Sequence, residues 1–175
     1  MAHPTRMIAL AAFCLASSAS AQTAHNSAAP INFGADHIEL QDKANRALLS
    51  GNVVVKQAEM TLNSARMTVA YTGQVVDGSP QVSRLDAAGN VVVTRPDQTA
   101  RSNFAVYDLN KRVVTMLGAV TLIQAGNTVN GGRLTINLDT GRAVIDGSSV
   151  GGGKAGTTTS SGGRVSGTFS VPKRN

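Results

Sequence analysis

Apolar and polar residues alternate along most of this chain with a period of two, and glycine punctuates the alternation at a fixed spacing. GNVVVTRP begins at Gly89, GAVTLIQA at Gly118, and VIDG closes at Gly147, so the glycines stand 29 residues apart twice over. Two and four positions after the glycine come Val91 and Val93 in one unit, then Val120 and Leu122 in the next. Sixteen, eighteen and twenty positions after it come Ala105, Tyr107 and Leu109, then Leu134, Ile136 and Leu138. An earlier copy starts at Gly51 and places Val53, Val55, Met67, Val69 and Tyr71 at the same offsets. Its next glycine lies 38 residues on, and the nine extra residues fit TGQVVDGSP, 72–80, where the other copies have a turn. Gly73, Gly78 and Pro80 mark that insertion as an exposed hairpin tip or loop.

Alternation of this kind predicts strands with one buried face, and no stretch of comparable length shows a stripe of period 3.6. Before the repeats, APINFGADHI leads into a run with Ile38 and Leu40 on one face and His37, Glu39 and Gln41 on the other. DKAN, 42–45, predicts a turn, and Ala47, Leu49, Gly51, Val53 and Val55 then follow on one parity. Further turns are predicted at Asn110-Lys111 and Asp139-Thr140-Gly141, each followed by a returning strand, through Val114 and Met116 and through Ala143 and Ile145. Strands rich in Val and Thr, cut at intervals by Gly, Asn and Asp, describe an all-β chain. Units of this length stack because none can bury its own apolar face, which leaves a solenoid, a sandwich or an open roll.

Past Gly147 the pattern decays. Ser149 and Gly151 occupy the offsets that carried Val or Leu, and GSSVGGGKAGTTTSSGG has the composition of a linker. A last alternation through Val165, Gly167, Phe169 and Val171 is either a terminal strand over 164–171 or part of a disordered tail.

Composition adds an address. Arg6, the apolar run MIALAAFCLA and the small residues Ala19-Ser20-Ala21 read as a cleavable secretory signal, residues 1–21. The apolar run is too short to span a bilayer. Cys14, the only cysteine of the 175 residues, lies inside it, and bulky Phe13 before it fits poorly with lipid attachment. The expected organisation is therefore signal 1–21, a single β domain 22–147 and a Gly/Ser/Thr-rich tail 148–175, exported to the periplasm. The net charge of +6 favours anionic partners in general. An aromatic content of 3% without Trp argues against base-stacking platforms and so against nucleic acid.

The catalytic inventory is thin. His3 lies in the signal, His25 and His37 stand near the start of the mature chain, and no Ser, His and Asp occur in supportive motifs. A zinc site wants three or four clustered ligands, and the mature chain has two His and no Cys. GGGKAG around Lys154 approaches a phosphate loop, but Ser148 and Ala155 stand where that motif needs Gly and Ser or Thr. No enzyme, cofactor or metal is expected. What remains is the apolar face, which either fills a core or lines a groove; composition does not separate the two.

Pro30-Ile31-Asn32-Phe33, Asp36, Ser50-Gly51-Asn52-Val53-Val54-Val55 and Leu117-Gly118-Ala119-Val120-Thr121-Leu122, in this order and after a secretory signal, resemble the OstA-like family of periplasmic lipopolysaccharide-transport proteins. The resemblance covers roughly residues 29–147. It implies an antiparallel twisted β-roll, or jellyroll, built from repeated strand pairs and open at both ends. It also implies a non-enzymatic carrier of lipopolysaccharide that holds lipid A acyl chains in its interior and assembles head to tail. That bridge joins an inner-membrane export complex to an outer-membrane translocon, with the work supplied by a partner ATPase. Carried onto this sequence, the family's lipid contacts fall on Ile31, Tyr107 and Leu109 and, where the insertion blurs the match, on Val82. The wider apolar interior adds Val53, Val55, Met67, Val69, Val91, Val93, Val120, Leu122, Leu134, Ile136 and Leu138. Two rivals stay open: a secreted β-solenoid or adhesin-type repeat protein with a filled core, and a membrane-anchored OstA-like partner, which the cleavable signal disfavours.

Overall fold

The computed structural model describes residues 25–73, 80–147 and 164–169. The expected signal, most of the TGQVVDGSP insertion, the glycine-rich linker and Val171 lie outside these residues. The described residues form ten strands: β1 Ile31–Gly34, β2 His37–Gln41, β3 Arg46–Gln57, β4 Met60–Thr72, β5 Gln81–Arg95, β6 Gln98–Asp108, β7 Val113–Gln124, β8 Asn127–Asn137, β9 Ala143–Asp146 and β10 Ser166–Thr168. All pairings are antiparallel and belong to one sheet, with β3 to β8 in chain order. The short strands β1 and β2 both pair with β3, and β9 and β10 both pair with β8. The predicted DKAN turn is a single 3₁₀ turn, Asp42–Ala44, closed by Asn45 in the left-handed region.

The repeated glycines bend the strands. Gly51, Gly89 and Gly118 have φ of 75°, 82° and 78°, and the residue after each, Asn52, Asn90 or Ala119, is also left-handed. Each pair makes a β-bulge: Ser50 pairs with Arg66 but Val53 with Ser64, and the same shift occurs between Ala88 and Val91 and between Leu117 and Val120. A bulge adds one residue to one strand and bends it sharply. The odd strands keep their inward parity across the bulge. The neighbouring even strands change theirs, from Ser64 to Met67 and from Ser102 to Ala105. Two consecutive outward residues mark each change, Ala65-Arg66 and Asn103-Phe104. Ser64 Oγ donates to Arg66 O at 3.0 Å and Ser102 Oγ to Phe104 O at 2.8 Å, satisfying carbonyls that the irregular ladder leaves over.

Because every long strand bends at the same register, one sheet becomes two faces. The first carries β2, the leading half of β3, the trailing half of β4 and so on to β9. The second carries β1, the complementary halves and β10. The core lies between them, with Leu49, Leu85, Tyr107, Met116, Leu134 and Ile136 from the first face and Val53, Val55, Leu62 and Val91 from the second, all fully buried. This is the open, antiparallel, twisted roll that the repeat and the resemblance lead one to expect.

Candidate functional site: the apolar interior

The interior gathers every residue that the sequence assigns to the lipid path. Val53, Val55, Val91, Val93, Val120 and Leu122 point inward from the second face, and Met67, Val69, Tyr107, Leu134 and Ile136 from the first, with Leu138 just beyond β8. Ile31, Val82 and Leu109 sit half-buried at its margin, packed against the same cluster. The sequence reading missed a second set: Met60, Leu62 and Ala100 are equally buried. They lie nine or eleven positions after a glycine, out of phase with the even offsets, because the chain has reversed direction and not yet crossed the bend. The adjacent outward pairs Ala65-Arg66 and Asn103-Phe104 are the signal that could have found them.

Closure is uneven along the roll. Ile38 pairs with Leu49 and Leu40 with Ala47, so both share the inward side of the first face; Phe33 pairs with Val55 on the second. Yet Ile38 is 41% exposed, Leu40 58% and Phe33 46%. The interior therefore meets solvent at the β1/β2 edge through three inward-facing apolar side chains. At the far edge Ala143 and Ile145 are half-buried, and Val165 and Phe169 flank β10 exposed.

One polar group crosses the interior. Tyr107, 1% exposed, donates from its hydroxyl to Gln57 Oε1 at 2.7 Å, joining the two faces. His25 Nε2 lies 3.3 Å from the same oxygen, while Gln57 Nε2 donates to the carbonyls of Ser27 and Ala29 at 3.0 Å each. The segment before β1 is thus latched over the interior by one buried carboxamide. Burial pushes the Tyr107 hydroxyl up to about 12 from 10.0, against the opposing influence of its hydrogen bond to Gln57. Burial also raises Tyr71, whose hydroxyl donates to Asp42 Oδ1 at 2.9 Å and ties β4 to the first turn.

A phenol whose pKa is raised on folding keeps its proton in the folded state when the unfolded chain has lost it. Its contribution is intact below pH 10 and is lost as the pH climbs from 10 towards 12. Tyr107→Phe is expected to lose about 1 kcal/mol at neutral pH, the net worth of one hydrogen bond, and to flatten that alkaline fall. Urea denaturation at neutral and alkaline pH checks both; a variant with the wild-type alkaline slope would show that the phenol is not its source.

Among the described residues no three His, Cys, Asp or Glu side chains gather as metal ligands, and no helix is long and apolar enough to cross a membrane.

Strands bent in register, one sheet folded into two facing halves and an apolar interior exposed at the β1/β2 edge define an open β-roll whose distinctive surface is internal. The family described as LptA/(LptD N-terminal domain) LPS transport protein matches residues 33–142, more than half of the chain, and the chain belongs to that family. A solved structure of similar fold is that of LptH from Pseudomonas aeruginosa, described as the LptA homologous periplasmic component of the conserved lipopolysaccharide transport device. It is 21% identical, with a TM-score of 0.66 over 84% of this chain and 99% of that one. An uncharacterized protein of Rhizobium meliloti (strain 1021) is 29% identical over 121 residues, covering 67% of this chain. The chain spans 65% of that relative's length, just under two thirds.

Proposed function

We infer that this protein is a non-enzymatic periplasmic carrier that holds the acyl chains of lipopolysaccharide between its two faces and bridges the inner and outer membranes. It leaves the cytoplasm by its cleavable signal. The observation that carries the reading is the inward-facing apolar row that runs through every strand pair and emerges at the β1/β2 edge as Phe33, Ile38 and Leu40. Family membership supplies the substrate class.

The energetics favour such a surface. Each buried methylene contributes about 0.8 kcal/mol, so a twelve-carbon chain held out of water represents on the order of 10 kcal/mol. A continuous apolar path provides this, and isolated hydrogen bonds do not. The strand edges β1/β2 and β9/β10 offer unpaired backbone groups, which suit head-to-tail addition of further copies and of similar domains in the export complex and the translocon.

The runner-up is a structural repeat protein with a filled core, and the tight burial of the interior speaks for it: Val91, Val114, Met116, Leu134 and Leu138 expose no measurable surface. On the carrier reading the faces part to admit lipid. A photo-crosslinker at Tyr107 or Leu109 separates the two, with label passing to lipopolysaccharide if the interior carries lipid. A correctly folded protein that transfers none would leave the filled core.

A further inference from the structure

The inner surface of the second face is graded. Two and four residues after the repeated glycines it is apolar, but at the sixth it carries Gln57, Arg95 and Gln124, and at the ninth Gln98 and Asn127, with Met60 of the first copy the apolar exception. These positions lie side by side at the hairpin end of the face: Gln57 pairs with Met60, Arg95 with Gln98, Gln98 with Gln124 and Gln124 with Asn127. They share the inward parity of Val55, Val93, Ala100 and Leu122. The corresponding margin of the first face is apolar, with Tyr71, Leu109 and Leu138 at the twentieth position. The opening between the faces therefore has one polar lip and one apolar lip, and the repeat carries both along the roll.

Two observations suit the polar lip to a ligand. Gln98 is 6% exposed, yet its Nε2 has no hydrogen-bond partner. Leaving a buried amide donor unpaired costs about 1–3 kcal/mol, and a leucine of similar length would avoid the cost. Gln57, in the same row, is fully occupied, and its partners are two carbonyls, a hydroxyl and an imidazole. Carbonyls and hydroxyls are the groups that an acylated sugar presents at the junction of its head and tails. Arg95, half-buried beside Gln98, has no ion-pair partner among the described residues and adds a cation suited to phosphate.

We propose that Gln98, with Arg95 and Gln124, forms a hydrogen-bonding rail for the phosphorylated sugar head of an acylated ligand, which travels along the polar lip while its tails occupy the apolar interior. This rests on the carrier reading above and adds the path of the headgroup to it. Gln57 is the first position of the rail, occupied in the free protein by the chain's own segment 25–29.

The test compares two probes on the full mature chain: lipid A, which has tails and a phosphorylated sugar head, and dodecanoate, which has a tail and a carboxylate only. Gln98→Leu is expected to weaken lipid A binding about tenfold, the worth of one hydrogen bond to a charged or strongly polar group, and to leave dodecanoate binding unchanged. Thermal melting of this variant should match or exceed the wild type, since an unpaired buried donor is removed. Gln124→Leu, at a half-buried position whose amide, among the described residues, reaches only Asp97 at 3.4 Å, should give the same selective loss with little risk to folding. Unchanged lipid A binding in both variants, or equal loss of both probes, overturns the rail and spares the apolar path. Failure of the wild-type chain to bind either probe overturns both.

Discussion

Gly51→Val is expected to lower the stability of the protein by about 3 kcal/mol or more. Gly51 has φ of 75°, where a residue with Cβ pays about 1–2 kcal/mol and a β-branched one pays more. A side chain there would also run into the Asp36 carboxylate. That carboxylate accepts from Asn52 Nδ2 at 2.9 Å, and the Asp36 backbone N–H donates to Gly51 O at 2.9 Å, so the edge strand is pinned to the bulge through this residue. Gly126→Ala is the internal control: φ is 78° but the space around it is open, so only the conformational cost of about 1 kcal/mol applies. Urea titration of both variants, with slope compared as well as midpoint, checks the difference. Equal losses would mean that the contact between Asp36 and the bulge contributes nothing.

On the carrier reading proposed above, Leu109→Asp is expected to reduce lipid passage at least tenfold while the fold persists. Leu109 is half-buried at the apolar lip, and its backbone N–H, which donates to Ser83 O at 3.0 Å, is untouched by the change. A carboxylate at that lip must be desolvated against each passing acyl chain, a cost of several kcal/mol. Transfer of labelled lipopolysaccharide to an acceptor measures the loss, and circular dichroism measures the fold. Unaltered transfer would contradict the assignment of Leu109 to the path. The docking to other copies proposed above for the strand edges should survive.

Much of this was legible in the chain. The glycine spacing marked the repeat without revealing that each glycine sits in a bulge, which only the pairing shows; even offsets located half of each inward face, because a strand that keeps its parity through a bend writes a continuous alternation. Val53 and Val55 after Gly51, or Val120 and Leu122 after Gly118, could be read directly. Met60, Leu62 and Ala100 could not, since their parity depends on a hairpin and on a bulge in a neighbouring strand, both properties of pairing. Ile38 and Leu40 were read as one face of a strand, and they are, but only the sheet shows that this face looks inward and is uncovered. The polar lip also escaped, because Gln57, Arg95, Gln98 and Gln124 pass for surface residues at the ends of strands until their register places them in one row.

The break between β1 and β2 falls at Ala35 and Asp36, opposite the Gly51 bulge. An exposed strand edge ordinarily accepts any extended chain. Here a straight strand laid along β1 leaves the register of β2 at the kink, and one laid along β2 leaves that of β1. Only a visitor with a corner at the same residue matches both halves, and β9 with β10 has such an interruption at the opposite end. For the head-to-tail docking proposed above, such a corner would work as a password on an otherwise sticky edge, favouring chains folded on the same plan over straight, unfolded strands.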